Sequence, residues 1–137
     1  MSLFVDTSAW YAAADRDDRS HRRATSILGA GEDLVTTDHV LVETWLLVHH
    51  RLGRKAADGF WEGLRSGVAE VEPVVAADLE VAWAMGDLFP DQDFSIVDRT
   101  SFASMLRLGL RRVASFDDDF AVFRFGPARR HAFEVLR

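Results

Sequence analysis

The chain has 137 residues, no cysteine and a formal net charge of −6, and 48% of its residues are hydrophobic. This length and hydrophobic content indicate one folded domain over residues 1–137 and exclude a disordered chain. The lack of cysteine excludes disulfides, thiolate metal sites and thiol nucleophiles, so we expect a cytoplasmic protein whose metal ligands are oxygen or imidazole. No run approaches the roughly 20 apolar residues that span a bilayer, so we expect no membrane segment.

The first half of the chain alternates between strand-like and helical patterns. Its predicted elements are a strand at 3–6, helices at 8–14 and 18–28, a short strand at 34–36, a long apolar helix and a shorter helix to about residue 65. Thr37 or Asp38 can cap the long helix and Gly53 ends it.

The second half continues the alternation. Its predicted elements are a strand at 68–75, helices at 78–88 and 95–110, and strands at 113–116 and 132–136. Such alternation favours an α/β fold with a mostly parallel sheet and helices on both faces. The carboxyl ends of parallel strands then share one edge, where α/β folds keep their chemistry.

Four acidic residues lie where a carboxylate is locally unfavourable. Asp6 and Asp117 each follow a predicted buried strand, so both belong at the carboxyl edge of the sheet. Glu43 and Asp98 interrupt sequences typical of core helices, where an unpaired charge is costly. Helices that start from the same edge can bring these two residues over the first pair.

Each carboxylate also has a local explanation. Asp6 precedes two good N-cap residues, Asp98 lies three residues after Ser95 as in a capping box, and Asp117 heads an aspartate run suited to a helix N-terminus. Glu43 is the hardest to explain in this way, because apolar residues surround nearly the whole helix that carries it.

Taken together, the four carboxylates suggest a metal site. Several carboxylates in one place raise one another's pKa and repel, unless a hard cation compensates their charge. Oxygen ligands favour Mg²⁺ or Mn²⁺. Two such ions about 4 Å apart can activate a water and stabilise the leaving oxygen of a phosphodiester.

These residues resemble those of the PIN-domain nucleases, and in particular the VapC-type toxin ribonucleases of bacterial toxin–antitoxin modules. The resemblance rests on the order and spacing of FVDTSA at 4–9, Glu43, SIVD at 95–98 and SFDDDF at 115–120. It implies a three-layer α/β/α sandwich that binds Mg²⁺ or Mn²⁺, cleaves RNA and is inhibited by a co-encoded antitoxin.

The resemblance also assigns roles to individual residues. It implies metal roles for Asp6, Glu43, Asp98 and Asp117, with Asp119 as an outer ligand or a replacement for Asp117. Ser8 would support a carboxylate or water through its hydroxyl group. Two further residues are Ser115, which stands where threonine is commoner, and Arg99, a candidate contact for RNA.

Several alternatives stay open at this point. A DNA-directed PIN nuclease and a catalytically inactive PIN binding module fit the same acidic set. A receiver domain needs a lysine on a late strand, but the only lysine, Lys55, lies in a helical region, and a haloacid-dehalogenase-like phosphatase needs an aspartate where Ser8 stands. Four tryptophans are expected mainly in core or dimer packing, and apolar residues of the middle helices in a homodimer or antitoxin interface.

Overall fold

The structure, a computed structural model, describes all residues from 1 to 137. Five strands form one sheet: β1 (Ser2–Val5), β2 (Asp33–Thr37), β3 (Glu70–Glu72), β4 (Arg112–Ala114) and β5 (Glu134–Leu136). The helices are α1 (Thr7–Ala14), α2 (His21–Leu28), α3 (Asp38–Leu52), α4 (Arg54–Arg65), α5 (Ala76–Leu88), α6 (Ile96–Leu108) and the single turn α7 (Asp119–Val122). A 3-10 turn spans Pro127–Arg129.

The first strand occupies the centre of the sheet, whose order is β3-β2-β1-β4-β5. Leu3 pairs with Leu34 of β2 and Phe4 with Val113 of β4, and all four strand pairings are parallel. Leu3, Phe4 and Val5 are fully buried. A continuous apolar run is what a strand covered on both faces requires.

Helices cover the two faces of this sheet. The chain moves from β1 to β2 and β3 in one direction, and then crosses back to β4 and β5 on the other side of β1. Because parallel crossovers are right-handed, this reversal puts α1 to α4 on one face and α5 and α6 on the other. The packing agrees, since α1 contacts α2 and α3, whereas α5 contacts α6. The predicted α/β/α sandwich is confirmed.

Aromatic residues fill much of the core on the α6 side. Phe102 stacks on Phe123 with 4.2 Å between ring centroids and meets Phe120 edge-on at 4.9 Å. Phe120 lies in α7, the turn that follows β4, and is fully buried. The aromatic packing therefore anchors α7, which carries Asp119, against α6, which carries Asp98.

Two predicted elements differ clearly from the structure in their bounds, and one short helix was not among the predicted elements. The second helix begins at His21 rather than residue 18, because Asp18 instead accepts a hydrogen bond from the Ser20 N–H in a turn. The strand predicted at 68–75 is only three residues long, since Gly67 has a φ of +96° and Pro73 cannot donate to the sheet. The turn α7 was not among the predicted elements, although the aspartate run that begins at Asp117 indicated a helix N-terminus there. Helix lengths and apolarity nowhere reach what a membrane crossing needs.

Candidate active site

Asp6 ends the central strand and points its carboxylate into a buried corner. Its N–H donates to the carbonyl of Ala114 at 3.1 Å, and the residue is only 3% exposed. The hydroxyl groups of Ser8 and Ser115 both donate to Oδ2 of Asp6, at 2.9 and 3.0 Å. Both hydroxyls meet the same oxygen, so neither occupies Oδ1.

The two serines also join the corner after β1 to the corner after β4. Ser8 Oγ accepts the Phe116 N–H at 2.9 Å, and Ser115 Oγ accepts the Asp117 N–H at 3.2 Å. The two hydroxyl oxygens are 3.2 Å apart. This small network fixes Asp6 relative to the segment that carries Asp117, although 109 residues separate Asp6 from Ser115 in the chain.

Asp98 enters from the first turn of α6. Ser95 caps this helix by accepting the Asp98 N–H at 3.0 Å, so half of a capping box is present. The carboxyl group of Asp98 does not complete the box. It turns inward instead, where Asp98 is 8% exposed and its carboxyl group lies close to that of Asp119.

Three of the aspartates converge. Asp98, Asp117 and Asp119 each offer a carboxylate oxygen, and these oxygens lie within 4.8 Å of one another. Asp117 also accepts the Asp119 N–H through Oδ1 at 3.0 Å, so the local capping role is present as well. We call Asp6, Asp98, Asp117 and Asp119 the acidic cluster.

The acidic cluster has no basic partner. None of the ion pairs in the structure involves its four members. Burial raises the pKa of the Asp6 carboxyl to about 6, against hydrogen bonds from Ser8 and Ser115. Burial, then the hydrogen bond with Asp119 and the charges of the other aspartates, raise the pKa of Asp98 to about 8. Such an uncompensated group of carboxylates is suited to a hard divalent cation.

Comparison with known proteins shows the family of the chain. The model of the PIN domain family matches residues 3–126. The chain belongs to the PIN-domain family. It is 37% identical over 128 residues to the 23S rRNA-specific endonuclease VapC20 of Mycobacterium tuberculosis, a match that covers 93% of this chain and 98% of that protein.

Solved PIN-domain structures have the same fold. The crystal structure of M. tuberculosis VapC20, described as a sarcin-ricin loop cleaving toxin, superposes with a TM-score of 0.83 at 36% identity, over 87% of this chain and 92% of that one. VapBC2 of Rickettsia felis, bound to a promoter DNA fragment, gives a TM-score of 0.65 at 11% identity over 86% and 89%. A toxin–antitoxin complex of Klebsiella pneumoniae gives 0.64 at 13% identity over 88% and 91%.

Glu43 is the sequence-predicted residue that stands apart in this PIN domain. It is partly buried in α3, has no hydrogen-bond or ion-pair partner, and does not belong to the group of three close carboxylates. One helical turn earlier, His39 Nδ1 lies 3.1 Å from Thr100 Oγ1 of α6. That contact brings the start of α3 against the helix that carries Asp98, while the metal role of Glu43 stays a prediction.

A third buried aspartate lies outside the acidic cluster, and the sequence did not indicate its role. Asp78 of α5 is 2% exposed and accepts two hydrogen bonds from Arg107 of α6, at 2.9 and 3.0 Å, and one from Ser104 at 3.0 Å. It also accepts the Val75 N–H at 3.1 Å at the start of α5. The capping contact has a local sequence signal, but the pairing with Arg107, 29 residues away, does not.

The arginine and tryptophan predictions had mixed outcomes. Arg99 is partly buried, its Nε donates to the carbonyl of Phe94 at 3.1 Å, and its contact with RNA stays a prediction. Trp10 is in the core as expected, and Trp45 is partly buried with its Nε1 donating to Asp58 at 3.1 Å. The other two tryptophans are exposed, by 46% for Trp61 and 80% for Trp83, so neither packs in the core of the single chain, and dimer packing stays a prediction for them.

Proposed function

We propose that this PIN domain is a metal-dependent endoribonuclease, that it acts as the toxin of a toxin–antitoxin pair, and that residues 1–137 work as one nuclease domain. The observation that carries the proposal is the acidic cluster, which gathers uncompensated carboxylates at the carboxyl edge of a parallel sheet. The relative with 37% identity is a 23S rRNA-specific endonuclease, so we propose 23S rRNA as the substrate.

The residues of the acidic cluster fit Mg²⁺ or Mn²⁺. All four donors are carboxylates, and neither cysteine nor a histidine is among them, which favours a hard cation over zinc. The raised pKa values of Asp6 and Asp98 report repulsion and burial that a bound cation offsets. When bound, the cation supplies Lewis-acid activation of water and neutralises charge on the scissile phosphate.

The chain's own residues hold and orient this site. The three close oxygens belong to Asp98, Asp117 and Asp119. Asp6 follows the central strand, and its charge acts on Asp98. Ser8 and Ser115 hold Asp6 through Oδ2, and neither hydroxyl contacts Oδ1. We assign Glu43 a supporting metal role from α3. Hydrolysis by this set leaves a 5′-phosphate and a 3′-hydroxyl.

We also propose a cytoplasmic location and two kinds of protein partner, a cognate antitoxin and a second copy of the chain. Val42 and Leu46 lie one turn apart on α3 and are 55% and 57% exposed. Apolar side chains at this spacing are suited to packing against a helix. A partner helix packed on this face of α3 would bury both side chains.

The deciding experiment is incubation of the pure protein with intact ribosomes and with total RNA, in Mg²⁺, in Mn²⁺ and in EDTA. We expect discrete cuts with divalent cations only, mapped by their 5′-phosphate ends. Asp6→Asn should lower the rate at least about a thousandfold, which corresponds to about 4 kcal/mol of transition-state stabilisation. The Glu43→Gln variant tests, by its rate of cleavage, whether Glu43 has the proposed metal role.

Asp118→Asn is the matched control. Asp118 lies between two members of the acidic cluster, but it is exposed and pairs with Arg137 at 2.8 Å. Its replacement should leave cleavage near the wild-type rate. Full activity of Asp6→Asn would exclude the acidic cluster as the catalytic site. Metal binding without cleavage of any RNA would leave a DNA-directed or inactive PIN domain as the better description.

A further inference from the structure

A surface pocket of about 280 Å³ lies beside the first turn of α6, between this helix and α5. Five of its six lining residues are hydrophobic and one is charged. The lining consists of Leu79, Ala82, Trp83, Phe94, Ile96 and Arg99. Arg99 directly follows Asp98 of the acidic cluster in the chain, so the pocket adjoins the helical turn that carries a catalytic carboxylate.

Arg99 is held in a fixed position in this pocket. Its Nε donates to the Phe94 carbonyl at 3.1 Å, and its guanidinium group lies against the backbone of Gly86 in α5. A Cβ atom at position 86 would come within 3.0 Å of Arg99 Nη1. Because Gly86 has no side chain, the guanidinium group can lie this close to the backbone of α5.

The charge of Arg99 has no carboxylate partner. Five other arginines form ion pairs: Arg54, Arg65, Arg107, Arg112 and Arg137. The terminal nitrogens of Arg99 make no hydrogen bond, although the side chain is partly buried. An immobilised guanidinium with free donors is suited to a planar anion such as a phosphate.

Trp83 supplies an aromatic face to the same pocket. Its side chain is 80% exposed, and Ile96, which also lines the pocket, is 65% exposed. Tryptophan is seldom so exposed in a folded domain. An exposed indole next to a free guanidinium is a pairing that single-stranded nucleic acid can use, with a base on the ring and a phosphate on the cation.

We propose that this Arg99–Trp83 pocket binds one nucleotide of the RNA substrate beside the cleavage site, with its phosphate on Arg99 and its base stacked on Trp83. The inference rests on the proposed ribonuclease function and deepens it. A chain of net charge −6 with four clustered aspartates repels a polyanion, so local cations must hold the strand. An apolar protein partner would instead bury the Arg99 charge unpaired, which is costly.

The test is binding of a short fluorescein-labelled single-stranded RNA to the full chain in Mg²⁺, measured by anisotropy in the cleavage-defective Asp6→Asn background. We expect Arg99→Gln and Trp83→Ala each to raise Kd about tenfold. Trp83→Phe keeps an aromatic face and should stay within about threefold of the parent. Only Arg99→Gln should reduce the slope of log Kd against log salt, by about one.

Two control variants match these changes at exposed positions outside the pocket. Trp61→Ala removes an exposed indole from α4, and Arg22→Gln removes one positive charge from α2, and both should leave Kd near the parent value. Thermal unfolding of each variant establishes that it is folded. A loss of affinity equal in controls and pocket variants would overturn the proposal, because it would reflect charge or stability in general.

The outcomes separate the pocket from the nuclease function. If the wild-type protein cleaves RNA while Arg99→Gln and Trp83→Ala bind RNA with unchanged Kd, the pocket is not a nucleotide site and the function stands. If these variants change only self-association, measured by sedimentation, the pocket belongs to a protein interface and the proposal fails. If the wild-type protein cleaves no RNA, the proposed function fails, and tenfold losses of RNA affinity would still support the pocket.

Discussion

Two buried aspartates pack against the same helix and have opposite surroundings. Asp78 is 2% exposed and lies in α5, where it contacts Arg107 of α6. Asp98 is 8% exposed and lies in the first turn of α6 itself. Burial alone would raise the pKa of Asp78, but hydrogen bonds from Arg107, Val75 and Ser104 outweigh it and lower this pKa below its ordinary value. Burial and neighbouring carboxylates raise the pKa of Asp98 to about 8.

The difference separates a structural carboxylate from one available to a ligand. Asp78 accepts two hydrogen bonds from the guanidinium group of Arg107. Its other hydrogen bonds come from the Ser104 hydroxyl and the Val75 N–H. Asp98 faces other acids and has no cation of its own. Buried charge persists in a fold when it is compensated, so the missing compensation around Asp98 indicates a partner that comes from solution.

The largest stability effect should come from Asp78. We expect Asp78→Ala to lower the free energy of unfolding by about 2 kcal/mol, because Ser104 loses its acceptor and Arg107 its partner. The figure is modest for a buried pair, since the Arg107 side chain is 34% exposed and water partly replaces the carboxylate. Urea unfolding in EDTA measures the change.

Asp98→Ala is the companion variant in that measurement. It removes one member of a repelling group, so the metal-free protein should be no less stable than the wild type. Equal losses at the two positions would contradict the contrast between them. The folded Asp78→Ala protein should cleave RNA at the wild-type rate, whereas Asp98→Ala should not cleave it.

The two regions should also respond to pH in opposite directions. In the folded, metal-free protein the pKa values of Asp6 and Asp98 are raised to about 6 and about 8. The folded state then keeps protons that the unfolded chain has lost, so this stabilisation is complete at low pH and is lost as pH rises through these values. The unfolding temperature in EDTA should fall between about pH 5 and pH 8.

Asp78 has the reverse sign, because its pKa is lowered in the folded state. Its contribution is present above the unfolded pKa of about 3.9 and is lost as pH falls through the lowered folded value. Asp98→Asn should therefore flatten the neutral part of the stability profile, and Asp78→Asn the acidic part. A neutral region that is already flat in the wild type would contradict the raised pKa of Asp98.

A smaller effect is expected at Ser115, which donates to Asp6 within the acidic cluster. Ser115→Ala removes one donor to Asp6 Oδ2 and the acceptor of the Asp117 N–H. Loss of about 1 kcal/mol of positioning should lower cleavage by roughly fivefold. Ser115→Thr keeps the hydroxyl and should restore most of the activity. Equal activity of the alanine and threonine variants would show that this hydroxyl does not position Asp6.

Much of the fold and part of the site were predictable from local patterns. The apolar run before Asp6 and the capping pattern before Asp98 each fix a backbone position within a few residues, and helix alternation fixes the parallel sheet. Strand ends of a parallel sheet converge by topology, so the meeting of Asp6 with the segment after β4 followed from the sequence.

What could not be predicted depends on contacts between distant segments. Nothing near Asp78 in the chain indicates that Arg107 neutralises it, and nothing near Arg99 indicates that Gly86 provides its place. Composition favoured a packed tryptophan, but Trp83 lies on the outer face of α5 and is exposed. The position of Glu43 relative to the acidic cluster depends on how α3 packs against α6. Helical periodicity in the sequence does not determine that packing.

The central position of β1 has a consequence for the order in which the protein is made. Phe4 is synthesised 109 residues before its sheet neighbour Val113, and the serine that holds Asp6 is Ser115. Translation proceeds at about 5–20 residues per second, so the nascent chain spends several seconds without a complete sheet. The acidic cluster therefore cannot form until the segment from Val113 to Asp119 has emerged, and that interval is open to an inhibitor that binds during synthesis.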